Sequence, residues 1–258
     1  MAETMTPLRV GRIVFLGDHW LVQTLRNHTQ NVALLAQAWD AGRAFQGPTP
    51  DLALTLAPMV EAARVHDAGK PARFQLQCQR GRGQAWDWVC SFRGHRFDAF
   101  HDDAYVEALA QLHHEYSVEG ITEQMARLAL DEATKSIAEN LALDLYALEM
   151  CDQIEATVAR AELGSSDPEE QVFMDFQIRR RCESEYEVEP FPFRPASLCF
   201  AVEYGQVAPG RDRREAVEKA SDDRKRQSAL RELTRWLNAQ LQAVPLQRKE
   251  VSLWPWTV

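Results

Sequence analysis

Several ionisable side chains sit where the apolar periodicity of a helix would place hydrophobic ones. His28 leads the stripe Val32, Leu35 and Trp39, at offsets of four, seven and eleven residues. His66 closes the stripe Leu52, Leu56, Met59 and Ala63, His113 shares a face with Val106 and Leu109, and Asp152 continues Leu141, Leu145 and Leu148. Each is therefore expected to point inward. Asp67 follows His66 directly, so one helix end offers an imidazole and a carboxylate together. An unpaired buried carboxylate costs several kcal/mol unless it is neutralised or bound to a cation. Three imidazoles and two carboxylates directed into one helical core are best reconciled by a metal ion that they share. Taken singly, each has an ordinary reading. An inward histidine usually bonds a backbone carbonyl, an aspartate caps a helix or pairs with an arginine, and Lys70 reads as a solvated surface lysine. The joint pattern carries the metal hypothesis, and His19 and His101 fall outside it.

The elements that must position these residues read as helical over the first 160 positions. One segment runs from near Asn27 to Gly42, and a second starts about Asp51 after the Gly47–Pro50 loop, until Gly69 and Pro71 break it. The stretch to about Arg96 is rich in Gly, Arg and Trp with weak periodicity, and suits a surface loop with a short helix. Helical patterning resumes from His101 to Glu115, again from Ile121, and longest from Ser136 to Ala161. Gly164-Ser165-Ser166-Asp167-Pro168 is the clearest linker, which divides the chain into residues 1–163 and 164–258. Beyond it, Leu198–Tyr204 reads as a strand and Arg213–Ala243 as one charged amphipathic helix. The apolar tail from Val251 reads as a closing strand or a docking segment.

The order His28, His66-Asp67, Asp152 resembles the HD phosphohydrolase superfamily. His66-Asp67-Ala68-Gly69-Lys70 with Phe74-Gln75 is similar to a segment of the CRISPR-associated HD nucleases in particular. Gly94-His95-Arg96-Phe97, Leu112-His113-His114-Glu115-Tyr116 and Cys151–Ala156 resemble that family's remaining histidine and aspartate motifs. The likeness covers about residues 10 to 160, with Gly94 standing for an expected arginine and Glu115 for a small residue. It implies a mainly α fold, an HD-domain helical bundle, here with a small α+β C-terminal extension. It also implies two divalent metal ions. His28, His66, Asp67 and Asp152 would hold one, and His95, His113 and His114 the other, with Asp67 bridging. Histidine-rich ligation favours Mn, Fe, Co or Ni over magnesium, which prefers oxygen ligands. Two such ions would activate a water and stabilise the attacking and leaving oxygens of a phosphodiester, while Lys70 neutralises a non-bridging oxygen.

The implied activity is metal-dependent hydrolysis of single-stranded DNA in type I CRISPR interference. The 258 residues contain no GxxxxGK[ST] element, so the ATP motor would be a separate helicase, with an RNA-guided surveillance complex supplying the displaced strand. The net charge of -9 speaks against nucleic acid as partner. Between Gly69 and Arg96, however, Lys70, Arg73, Arg80, Arg82, Arg93 and Arg96 face Asp87 as the only acid. Phe74, Trp86, Trp88 and Phe92 are interleaved there, which suits a single-strand track; equally, the tryptophans seal a domain edge. Two other readings compete: a phosphohydrolase of small or cyclic nucleotides, which needs only the first four ligands, and a non-catalytic interaction protein. Five scattered cysteines without a CxxC pair, no secretory start and no long apolar run lead to the expectation of a cytoplasmic protein without a membrane partner.

Overall fold

The fold is taken from a computed structural model, which describes residues 9–16, 19–38, 56–80, 86–115, 123, 141–164, 198–208, 210–241 and 244–253. The elements run β1 (Val10–Leu16), β2 (His19–Thr24), α1 (Leu25–Ala38), α2 (Leu56–Val65) and a short α3 (Lys70–Arg73). Then come β3 (Gln75–Arg80), β4 (Trp86–Ser91), a 3-10 turn (His95–Asp98), α4 (Ala104–Leu112) and α5 (Leu141–Glu162). The chain continues as β5 (Leu198–Val207), α6 (Arg211–Glu218), α7 (Asp223–Leu241) and β6 (Leu246–Leu253).

The architecture is mixed α+β, and this corrects the expectation of a mainly α HD-type bundle with a small extension. A four-stranded antiparallel sheet in the order β1-β2-β5-β6 draws its first two strands from before α1 and its last two from the C-terminal hundred residues. The helices α1, α2, α4 and α5 cover one face, where Val14, Leu21, Phe200 and Val202 join their core. Ile13, Trp20, Val22 and Val207 point the other way, against Val217 of α6 and Leu230, Leu233, Leu237 and Leu241 of α7. Because both faces are covered, β1 and β2 carry apolar residues in sequence rather than alternately, and the period of two that marks a half-exposed strand is hidden. Wetter strands would have been easier to find.

Two further expectations change. The Gly/Arg/Trp-rich stretch does contain a short helix, but Gln75–Arg80 and Trp86–Ser91 pair as the antiparallel strands β3 and β4, in register from Gln75↔Ser91 to Arg80↔Trp86. The expected single helix from Arg213 is two, because Asp222 starts α7 afresh: its carboxylate accepts the Lys225 backbone N–H at 2.8 Å. Leu246–Leu253 pairs with β5, so the strand reading of the tail holds to Leu253. The linker beyond Gly164, Trp39 to Thr55, and Tyr116 to Ile121 lie outside the described residues. Among the described residues no helix is long and apolar enough to cross a membrane.

Local chemistry sets the start of the elements that matter most. Helix α1 begins directly off β2, where Thr24 Oγ1 accepts the Asn27 N–H at 3.0 Å. Gly11 sits opposite, where an added Cβ would lie 3.0 Å from Leu25 Cα and 3.1 Å from His28 Cβ, so a glycine lets β1 approach the first turn of α1. Asp103 caps α4 through the Tyr105 and Val106 N–H groups at 2.8 and 3.2 Å.

Candidate metal centre

Asp67 occupies the middle of the site, in the turn that ends α2, and is fully buried. Its two oxygens face different imidazoles. Oδ2 lies 2.9 Å from His28 Nε2 and 3.4 Å from His66 Nε2, and the Lys70 ammonium rests against it. Oδ1 lies 2.7 Å from His95 Nε2 and 3.7 Å from His113 Nε2. Asp152 Oδ1 comes from α5 to 3.3 Å from His28 Nε2 and 3.8 Å from His66 Nε2. His114 joins from the mouth, with its ring 4.1 Å from that of His113 and 5.2 Å from that of His95. All seven expected ligands and Lys70 therefore converge, though six separate elements carry them.

Three of the histidines are aimed by one device. His66 Nδ1 donates to the Ala63 carbonyl at 2.8 Å, His95 Nδ1 to Phe92 at 2.7 Å, and His113 Nδ1 to Ala110 at 2.5 Å. In each case the acceptor lies three residues back, in the last turn of a helix or a tight turn. This places a proton on Nδ1 and turns Nε2 toward Asp67. His28 is the exception, because its Nδ1 meets the Glu155 carboxylate at 2.6 Å.

Two glycines permit the convergence. A Cβ on Gly69 would stand 2.2 Å from the His95 carbonyl oxygen and 2.7 Å from Asp98 Cβ, so only glycine lets the 3-10 turn press His95 against the turn bearing Asp67. Gly94 adopts a left-handed conformation (φ 76°), which starts that turn. Its glycine, where the resembled family has arginine, is thus explained by backbone geometry.

The buried atoms His28 Nε2, His66 Nε2, His95 Nε2, His113 Nε2, Asp67 Oδ1 and Asp67 Oδ2 all lack a hydrogen bond. Each such atom costs about 1–3 kcal/mol, and a typical domain is stable by only about 5–15 kcal/mol. The Lys70 ammonium offsets the charge at Oδ2, and the other five are hard to sustain unless a shared partner satisfies them. Lone pairs of nitrogen and oxygen converging from several directions fit a cation. His28, His66 and Asp67 form one group that could hold a metal ion; His95, His113 and His114 form another, and His66, His113 and Asp152 a third that overlaps both.

Without a cation, protons on His28 and His66 balance the carboxylates. Burial opposes charge on His28, yet Glu155 and the Asp152 and Asp67 carboxylates raise its pKa to about 10. Burial likewise opposes charge on His66, and Asp67 and Asp152 lift it to about 9. Asp67 is held well below the usual carboxylate range despite its burial, through Lys70, His66 and His28. The carboxylates draw positive charge into this centre, which is the charge a bound cation would supply. His113 goes the other way: burial and the neighbouring His66 and His114 hold it neutral, the form that ligates.

Sequence reasoning missed the network behind the ligands. Glu155 is buried, and besides His28 it accepts from Arg12 Nη1 at 3.1 Å, Gln23 Nε2 at 2.6 Å and Asn31 Nδ2 at 3.2 Å. One signal was available: Glu155 follows Asp152 by three residues, on the same face of α5. The arginines and aromatics of the β3-β4 region divide between two roles. Trp88 lies 6.2 Å from Trp20 and bonds Glu218, so it seals the β3-β4 edge against the second core. Arg80 stacks on Trp86 at 4.2 Å, and Arg73 pairs with Asp98 at 2.7 Å. Arg82 lies outside the described residues. By contrast, Phe97 and Phe100, just beyond His95, are 54% and 73% exposed.

No protein-family model, curated protein or solved structure matches this chain.

Proposed function

We propose that the chain is a divalent-metal-dependent phosphodiesterase that cleaves single-stranded DNA, as the nuclease partner of a separate helicase and an RNA-guided CRISPR complex. One observation carries the reading: the two oxygens of buried Asp67 face two different imidazole sets, the arrangement of a carboxylate that bridges a pair of ions. His28, His66 and Asp152 would complete one position, and His95, His113 and His114 the other. The nitrogen-rich donor set suits Mn, Fe, Co or Ni better than Mg. When bound, such a pair supplies Lewis-acid stabilisation to the attacking and leaving oxygens of a phosphodiester.

The chain's own residues supply the rest. The i−3 carbonyls hold the Nδ1–H groups of His66, His95 and His113, so these three would not have to reorient on ligation. Lys70 neutralises charge at Asp67 and lies 5.2 Å above the Phe92 ring, which shields one side of the centre. Phe97 and Phe100 offer exposed aromatic faces beside His95, and successive bases of a single strand stack on such faces. A mononucleotide would have no use for a platform outside the ligand shell, and this favours a polymer substrate over a small cyclic nucleotide.

The test is cleavage of labelled single-stranded DNA, with duplex DNA and a nucleotide panel alongside, in Mn, Ni, Mg or EDTA. Metal-dependent degradation of the single strand that is absent in His66→Ala is expected. Turnover of nucleotides without DNA cleavage would transfer the assignment to the small-molecule phosphohydrolase, and the CRISPR assignment would fall with it.

A further inference from the structure

We infer that Glu155 is a positioning residue that makes His28 the strongest donor of the cluster and ties the metal centre to the C-terminal strand β5. The inference rests on the metal-binding reading and goes beyond it by predicting two sites of unequal affinity. His66, His95 and His113 each use a neutral backbone carbonyl to hold Nδ1. His28 alone of these four uses a carboxylate, at 2.6 Å and fully buried. A charged acceptor on the far nitrogen raises the electron density of the ligating one, and partners of this kind change metal affinity by roughly 10–100-fold. The ion held by His28 is therefore bound more tightly than the one held by His95, His113 and His114.

Glu155 cannot turn away from this task. Oε2 is shared by His28 and Arg12, and Oε1 takes the amides of Gln23 and Asn31, so its acceptor sites are filled from four directions. Two of those directions lead to β5. Asn31 Nδ2 also donates to the Ala201 carbonyl at 3.0 Å, as does Asn27 Nδ2 at 2.8 Å. Asn27 Oδ1 accepts from the Glu203 N–H at 2.9 Å and from Gln23 Nε2 at 2.9 Å. A strand 170 residues along the chain from Asn31 and 174 from Asn27 thus fixes the carboxylate that fixes His28. The C-terminal part, which the sequence suggests is an appendage, belongs to the support of the site.

The experiment is calorimetric and optical titration of the full chain with Co(II), comparing the unaltered protein with Glu155→Gln. Expected is roughly 10–100-fold weaker binding of the first equivalent in the variant, with a shifted visible spectrum and an unchanged second equivalent. Equal first-site affinity and an unaltered spectrum would overturn the inference while the metal reading stands. If the unaltered chain takes up no Co(II), both fall. Because Glu155→Gln removes a buried charge and could unfold the chain, a second readout uses the unaltered protein with 15N-labelled histidine. The His28 Nδ1 proton should resonate downfield of those of His66, His95 and His113, and coincidence of all four would equally overturn the inference.

Discussion

Two buried polar regions meet at His28 and are built on opposite rules. Behind it, Arg12, Gln23, Asn27, Asn31 and Glu155 form a network in which donors and acceptors are matched, at distances between 2.6 and 3.4 Å. In front of it, four imidazoles turn Nε2 toward one carboxylate, Asp67, with Lys70 against its Oδ2 and no matched set of donors and acceptors. Equal burial with opposite satisfaction separates the two regions. A matched network rigidifies a fold, whereas converging unmatched lone pairs await a partner from outside.

Breaking the second region should have the largest effect on activity. Asp67→Ala is expected to reduce metal-dependent DNA cleavage to background in the labelled-strand assay while thermal unfolding stays cooperative. Retained cleavage in that variant would remove the bridging role. Breaking the first region should act on stability instead. Arg12→Met leaves Glu155 buried beside fewer donors, and should destabilise the chain by about 3–5 kcal/mol in urea unfolding, more than Asp67→Ala does without metal. The reverse order would mean that the two regions were assigned the wrong way round.

A pH series sharpens the contrast. Burial alone would raise the Glu155 pKa, but His28 and Arg12 bring it down to about 2 from an ordinary 4.5. A depressed carboxylate contributes stability that is fully present above its unfolded pKa and is lost as pH falls through the folded one. Metal-free protein should therefore lose this contribution between about pH 4.5 and 2, and Glu155→Gln should show a flatter acid limb in the same scan. The smallest effect is expected at the rim. Phe100→Ala should raise KM for single-stranded DNA roughly fivefold, about 1 kcal/mol of stacking, with kcat unchanged. An unchanged KM would remove the stacking platform.

Much of the site was legible in sequence because an inward-facing polar side chain leaves a local trace. His28, His66, His113 and Asp152 each interrupt an apolar stripe, and that interruption can be read within a dozen residues of its helix. His95 and His114 interrupt no stripe, and only their motif context singled them out. The helices α1, α2, α4 and α5 were legible for the same reason, since one buried face imposes a period that polar neighbours make visible. The sheet was legible only in its second half, where Leu198–Tyr204 and the tail read as strand. Strands β1 and β2 are covered on both faces and lack the alternation that would have separated them from helix, and the pairing of β2 with β5 is invisible to any local window.

What the sequence by itself determined is the donor inventory: which residues could ligate, and that several would be buried. Tertiary structure alone decided what each donor faces. The His28–Glu155 bond spans 127 residues, Arg12–Glu155 spans 143 and Asn27–Ala201 spans 174. Periodicity records the burial of one element against whatever lies beside it, whereas a hydrogen bond depends on which element that neighbour is. Only the packing of α1 between α5 and β5 supplies that.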